Sequence, residues 1–342
     1  ELEKQRESVN KCFKVIDKPS FTSQLDKIYK KELLDESFLN RLDNNPFMFH
    51  FQNGVVDVRT KKFREGLLPE DYVTKTSPFD YDPVINYDNR FWLMEQIKKI
   101  ANYDDDHTTC LLEDIAYALT GDSKRYQEFY CLIGQFASNG KSTLLETLGK
   151  MFPNYVQKAE SKLLESKYDK KHKVLPLLRN HRLVWLEEME HGKKIDGKYF
   201  KIWADGGMIS NEIMYGTSES FQVTAAGFLV SNHTPDFDKL DKGVKRRYQH
   251  FQMDSMFEER FTEDDYEKKR FIKANPTEFE KLWLEKQMDV AHIMMEFAYK
   301  VYRHGKCPRP EEFVKEKENV CALNNTLDDW LLFCIKPSSK HL

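Results

Sequence analysis

Glu128-Phe-Tyr-Cys-Leu-Ile-Gly-Gln-Phe-Ala-Ser-Asn-Gly-Lys-Ser-Thr143 is the stretch on which the reading of this chain turns. The apolar run Phe129 to Ile133 predicts a buried strand. Small residues follow, and Gly140-Lys141-Ser142-Thr143 opens a helix whose Leu144, Leu145, Leu148, Met151 and Phe152 share one face. Strand, small-residue loop and helix start, in that order, form the architecture of a phosphate-binding P-loop, so a nucleoside triphosphate is the expected ligand. A polyphosphate needs closely spaced backbone N–H groups aimed at it, and only small residues let a backbone come so near. Gly134, Gln135, Ala137, Ser138, Asn139, Gly140 and Thr143 are the expected cradle. Lys141 reaches the β- and γ-phosphates as a point charge, and the Ser142 hydroxyl ligates Mg²⁺. The spacing departs from the usual four residues between the two glycines, because five lie between Gly134 and Gly140. Either Gln135 stands in the first glycine's place or the loop carries one extra residue.

A P-loop needs a second, acidic strand end to hold Mg²⁺ and to orient the attacking water. Arg182-Leu-Val-Trp-Leu-Glu187-Glu188 supplies one, with Glu187 expected in the metal shell and Glu188 polarising water. Glu190 lies close, so which pair acts stays open. A third apolar strand, Gly227-Phe-Leu-Val-Ser-Asn232, ends in an amide that either orients water and senses the γ-phosphate or serves only the turn that follows. Beyond it, Lys242-Gly-Val-Lys-Arg246-Arg247 is either a solvated basic turn or an arginine finger supplied across a subunit boundary. A finger raises the rate by roughly 10³–10⁵.

The 342 residues are enough for two domains, or for one nucleotide-binding domain with large extensions. The first residue is Glu1 rather than methionine, and the chain reads as a segment of a longer protein. No apolar run approaches the ~20 residues that span a membrane. Six cysteines are scattered without a C-x-x-C pair, which supports neither a zinc ribbon nor a disulfide framework and points to a reducing compartment. The net charge is −3, so bulk electrostatics do not announce a nucleic-acid binder, although gripping DNA inside a channel needs only local positive charge.

Residues 1–45 read as charged and helical, with Leu25, Ile28, Leu33 and Leu34 at packing positions. Phe47 to Phe63, turning at Asn53-Gly54, reads as a small β meander. Helices are expected over 89–101 and 108–119, separated by Tyr103-Asp-Asp-Asp-His107, whose acids suit a helix N-cap better than a metal site. Between about 122 and 252, strands alternate with helices, which predicts an α/β fold with a parallel sheet and helices on both faces. After Phe251 the chain reads as helical and charged, with one helix around Leu282–Tyr302 and a linker at Gly305–Pro310.

Taken together, the ordered motifs resemble the superfamily 3 helicases of viruses, phages and plasmids, and most closely the primase–helicase group of phage and poxvirus replication proteins. Phe51-Gln-Asn-Gly-Val-Val-Asp-Val-Arg-Thr60, Pro69-Glu-Asp-Tyr-Val-Thr74 and Tyr81-Asp-Pro83 look like the domain that precedes the helicase, and Ala118-Leu-Thr-Gly-Asp122 like the entry to its ATPase. Asn139-Gly-Lys-Ser-Thr143, Glu187-Glu188, Asn232 and Arg246-Arg247 match in order and spacing. The resemblance implies an AAA+-type sheet, ATP and Mg²⁺ as cofactors, a ring that is usually a homo-hexamer with sites between subunits, and single-stranded or forked DNA threaded through it with 3′→5′ unwinding. It also implies an upstream primase domain, no membrane, and a host cytoplasm or viral replication site. Its channel hairpin falls at Lys201–Ser218, with the tip near Tyr215 and Gly216. Met208, Asn211, Glu212 and Tyr215 depart there from the acidic, arginine or Lys-His residues of many relatives, and Tyr215 either stacks on DNA or packs against a neighbouring subunit. The basic stretch Lys167, Lys170, Lys171, His172 and Lys173 either lines the channel or is a solvated loop.

The expected organisation is therefore a collar or adaptor over 1–119, an ATPase core over 120–255 and a helical subdomain over 256–342. The expected activity is that of an ATP-driven DNA helicase core. The rivals are a P-loop kinase closing an arginine lid within one subunit, and a nucleotide-gated assembly or packaging scaffold.

Overall fold

Alternation of apolar strands with helices builds an α/β protein in the computed structural model, which describes residues 4–7, 10, 11, 16, 18–32, 38–134, 138–167, 178, 179, 181–187, 189, 192–211 and 219–323. The chain packs as two units, Glu1–Leu42 and Asp43–Leu342. The first carries helices α1 (Pro19–Glu32) and α2 (Phe38–Arg41). On α1, Leu25 is partly buried while Ile28 is exposed, so Ile28 is not the packing position its sequence suggests. Leu33 and Leu34 lie outside the described residues.

The second unit opens with the expected meander, β1 (Met48–Phe51), β2 (Gly54–Asp57) and β3 (Lys62–Glu65), antiparallel throughout. Helices α3 (Tyr87–Ile100) and α4 (Asp105–Ala118) follow. Asp104 caps α4, its side chain accepting from the amides of Asp106 and His107, which settles the acidic cluster as a cap. The helix starts earlier than the sequence suggests because that cap engages Asp106 and His107.

A short α5 (Ser123–Tyr126) leads into the sheet. Its strands are β4 (Phe129–Ile133), β5 (Val156–Ala159), β6 (Leu183–Leu186), β9 (Ala226–Ser231) and β10 (Tyr248–Gln252), with α6 (Lys141–Met151) after β4, α7 (Gly197–Ala204) after β6 and α8 (Lys242–Arg247) after β9. All five pair in parallel in the order β10-β4-β9-β6-β5, the AAA+-type arrangement. The register sets Ile133 beside Ser231, Leu229 beside Leu186, and Leu186 beside Ala159, so the residues leaving β4, β9 and β6 emerge at one edge.

Because side chains alternate along a strand, both faces of this sheet are buried. Tyr130, Leu132, Trp185, Phe228 and Phe251 face one core with α4, α6 and the meander. Phe129, Cys131, Val184, Leu229 and Tyr248 face another with α7 and the hairpin β7 (Met208–Asn211) and β8 (Glu219–Gln222). That antiparallel pair only overlaps the expected Lys201–Ser218 segment: it begins at Met208, because Gly197–Ala204 is helical, and runs on to Gln222, while the expected tip at Tyr215 and Gly216 lies outside the described residues.

The segment after Phe251 differs from the helical expectation. It first forms a two-stranded parallel ribbon, β11 (Met256–Glu258) and β12 (Arg270–Ile272). Helices α9 (Pro276–Glu285), α10 (Gln287–His304) and α11 (Glu311–Leu323) follow, with the helix predicted around Leu282–Tyr302 broken at Lys286. The first core includes Phe49, Leu132, Phe228, Val290, Phe297 and Phe313, so residues from all three predicted segments share one interior.

The predicted linker at Gly305–Pro310 is an anchor. Lys306 Nζ lies 2.9 Å from Asp114 Oδ1 and 2.5 Å from Glu128 Oε2, and Arg309 forks onto Asp114 at 2.5 and 2.9 Å. Asp114 on α4 is buried between both cations. A buried charge is tolerated only when paired and hydrogen-bonded, and here each partner is both.

Candidate phosphate-binding site

The loop between β4 and α6 borders a cavity of about 360 Å³ lined by Ser138, Asn139, Gly140, Lys141, Ser142, Thr143, Glu187, Val230, Ser231 and Asn232. Three strand ends predicted separately to carry chemistry thus meet at one place. Lys141 is buried, and its Nζ donates to Asn139 Oδ1 at 2.8 Å, to Asn232 Oδ1 at 3.2 Å and to the Gly134 carbonyl at 3.3 Å. The ammonium is therefore held at the junction of the loop and the neighbouring strand.

The backbone explains the residue types. Gly140 sits before α6 at φ +82°, a left-handed conformation that favours glycine, and a Cβ there would come within 3.0 Å of Ile100 Cγ1. At Gly134 a Cβ would fall 2.5 Å from the Met253 carbonyl oxygen and 2.8 Å from Lys141 Nζ, so no larger residue fits beside the lysine. Ser138 also has a positive φ, +61°. Its carbonyl accepts from the Phe257 amide at 2.9 Å, and Asn139 Nδ2 donates to the Met253 and Ser255 carbonyls at 3.1 and 2.7 Å.

A residue without any motif completes this support. Asn102 donates to the Gln252 carbonyl at 2.8 Å and accepts from the amides of Asp254 (2.6 Å) and Ser255 (3.3 Å). Its only signal in the sequence is an asparagine just past a helix end, a position where left-handed residues collect; its φ is +62°.

Glu187 lines the cavity and is bonded to Lys158 Nζ of β5 at 2.6 Å, a residue the sequence reading passed over. Burial works against the charge on Lys158, but its bond to Glu187 wins and raises its pKa; the ammonium also lies 4.8 Å from the Trp185 ring centre. Ser142 and Glu187 share the cavity and have the oxygen donors that a hard cation takes, so the pair fits Mg²⁺.

Arg246 and Arg247 are elsewhere. They precede β10, whereas the loop leaves the far end of β4, about 16 Å along a five-residue strand. Arg247 is forked onto Asp205 at 2.6 and 2.7 Å and donates to the Gly243 carbonyl at 2.7 Å. Arg246 is exposed and reaches Gln127 Oε1 at 2.7 Å. Of the predicted residues, Gln135, Ala137, Glu188, Tyr215 and Gly216 lie outside the described residues, as do Glu190, Lys170, Lys171, His172 and Lys173. Among the described residues no helix is long and apolar enough to cross a membrane.

Residues 1–115 match the family described as "D5 N terminal like". Two curated relatives, each named a "putative helicase", are 26% identical. The one from Acanthamoeba polyphaga mimivirus aligns over 72% of this chain and 26% of its own length, and the one from Sputnik virophage over 78% and 34%. The chain thus spans only a quarter to a third of the length of these relatives. The solved apo structure of the NrS-1 C-terminal region is 16% identical, covers 74% of this chain and 58% of that one, and superposes with a TM-score of 0.51, which shows a common fold.

Proposed function

Because its first third matches the D5-type family and most of its length is related to viral proteins named helicases, we propose that this chain is the motor core of a viral primase–helicase. It binds ATP, hydrolyses it at the boundaries of a ring of identical subunits, and uses the cycle to move 3′→5′ along DNA and unwind it. The supporting observation is the convergence of Lys141, Ser142, Glu187 and Asn232 on one cavity at the strand ends of a β10-β4-β9-β6-β5 sheet.

Each side chain has a task that its surroundings favour. Lys141 sets a positive charge where the outer phosphates lie, with Asn139 and Asn232 fixing its direction. The amides at the start of α6 add the positive end of the helix dipole. Ser142 and Glu187 would hold Mg²⁺, which neutralises charge developing on the phosphates. Asn232, and Glu188 beside Glu187, orient water towards the outermost phosphorus. Arg246 faces solvent at the opposite strand ends, which suits a residue acting on a neighbour's nucleotide.

ATP turnover measured with and without single-stranded DNA, alongside native mass, tests the proposal. We expect DNA-stimulated hydrolysis by an oligomer that Lys141→Ala silences. Hydrolysis that ignores DNA in a monomer, with phosphate passed to a small acceptor, favours a kinase; an oligomer that binds ATP without turnover favours an assembly scaffold. Undiminished turnover in the Lys141→Ala protein would overturn the site itself.

A further inference from the structure

Two thiols far apart in the sequence meet where residues 305–310 are anchored. Cys110 is buried on α4, and Cys307 is half-buried and packs against the same core. Both are free. The Cys307 amide donates to Glu113 Oε2 at 2.6 Å, one turn along α4 from Cys110. Arg309, two residues further on, donates from Nη1 to Cys110 Sγ at 2.8 Å. The backbone of Cys307 and the side chain of its near neighbour thus both close on the same turn of α4, and the two thiols share a hydrogen bond. That bond, and then burial, raise the pKa of Cys110, so its sulfur keeps the proton and donates it towards Cys307.

Among the described residues no group of three or more His, Cys, Asp or Glu could hold a metal ion, and the Arg309 guanidinium against Cys110 disfavours a second cation there. Oxidation is the chemistry left to the thiol pair. We propose that Cys110 and Cys307 form a reversible disulfide in the folded chain, a site of oxidation by peroxide that staples residues 305–310 to α4. The thiolate is the reactive form, and Cys307 is the sulfur that a small oxidant reaches. Its sulfur attacks one oxygen of hydrogen peroxide; the O–O bond breaks and hydroxide leaves, giving a sulfenic acid. Cys110 then attacks the Cys307 sulfur. The S–O bond breaks, the Cys110 proton goes to the departing hydroxide as water, and Arg309 steadies the charge on Cys110 as that proton leaves. Two thiols and one peroxide become a disulfide and two waters, the sulfurs losing two electrons and the peroxide oxygens gaining them. The link adds a covalent bond to the ion pairs of Lys306 and Arg309, and it closes a long loop, which restricts the unfolded chain. A thiol reductant reverses it by exchange.

Hydrogen peroxide treatment of the whole folded chain, followed by intact mass and non-reducing peptide mapping, tests this. We expect a loss of two hydrogen atoms, a link between the peptides holding Cys110 and Cys307, and return of the parent mass with dithiothreitol. The urea midpoint of the oxidised chain should rise, and trypsin cleavage at Lys306 should slow at least about tenfold. Cys307→Ser, at a half-buried position, should give neither the link nor the rise. Cys110→Ser should stop at a sulfenic acid on Cys307, which dimedone traps; if that variant does not fold, the peptide map of the unaltered chain still decides. Oxidation of Cys321, also half-buried, with no link between Cys110 and Cys307 overturns the proposal, as does a link that forms only in urea. A link that moves neither the midpoint nor the cleavage rate overturns the staple.

Discussion

Asn139 Nδ2 lies 2.7 Å from the Ser255 carbonyl oxygen, so the phosphate loop is bonded to the segment that leaves the last strand of the sheet. The same side chain gives its oxygen to Lys141. One amide thus fixes both the shape of the loop and the position of its charge.

Asn139→Ala would leave the Met253 and Ser255 carbonyls and the Lys141 ammonium each short of a partner. A buried polar group left unsatisfied costs about 1–3 kcal/mol. The variant should melt lower than the parent and bind ATP more weakly, by calorimetry on both counts. A variant that melts and binds like the parent would remove Asn139 from this role.

The two arginines before β10 should separate cleanly. Arg247→Ala breaks the fork onto Asp205, so we expect lower thermal stability, matched by Asp205→Ala. Arg246→Ala should leave the melting curve alone while reducing turnover by roughly 10³-fold, the lower range for an arginine finger. Mixing it with Lys141→Ala subunits should restore some activity. If Arg246→Ala alone hydrolyses ATP normally, the exposed arginine is not the finger.

Asp114 is paired with both Lys306 and Arg309 in the interior. Asp114→Ala leaves Lys306 and Arg309 with Glu128 as their remaining carboxylate, so the loss should fall below the about 3–5 kcal/mol of a fully broken buried pair. Urea unfolding should show it, and because the network ties residues 305–310 to α4 and β4, α11 should become more exposed to protease. Unfolding at the parental midpoint would mean that the network adds little.

Acid should destabilise the fold in a defined window. Burial, with Arg182 nearby, lowers the pKa of His50 from 6.5 to about 4, and neither ring nitrogen has a hydrogen-bond partner among the described residues. The folded chain keeps the ring neutral while the unfolded chain protonates, so this stability is complete above about pH 6.5 and is lost as pH falls towards 4. At about 1.4 kcal/mol per pH unit, the whole loss is about 3 kcal/mol. His250 and His292, also lowered chiefly by burial, add in the same direction. Melting temperatures between pH 7.5 and 5 should fall less steeply in His50→Phe; an identical slope would rule out His50 as a contributor.

The strand ends that meet at the cavity were legible because each is an apolar run ending in a residue with distinctive chemistry, and parallel register then brings Gly134, Glu187 and Asn232 to one edge. The meander was legible from its apolar runs and turns, whereas the hairpin segment was expected only from the family resemblance. Asn102, Lys158 and the Asp114–Lys306–Arg309 network were not, because each acts through partners 29 to 195 positions away in the chain, and periodicity carries no information about such pairs. The ribbon of β11 and β12 was hidden for a further reason. Its strands have three residues each and sit in charged sequence, so neither length nor alternation distinguishes them from helix.

The family-matched stretch ends at residue 115, inside α4, yet Ile100 packs beneath Gly140 and Asn102 holds the backbone on which Asn139 rests. The borders along which sequences are inherited and those along which this molecule would come apart do not coincide. A fragment starting at residue 120 would keep every residue that lines the cavity of about 360 Å³ and lose the floor under the Ser138–Thr143 loop, so a piece that preserves this cavity has to reach back through α3.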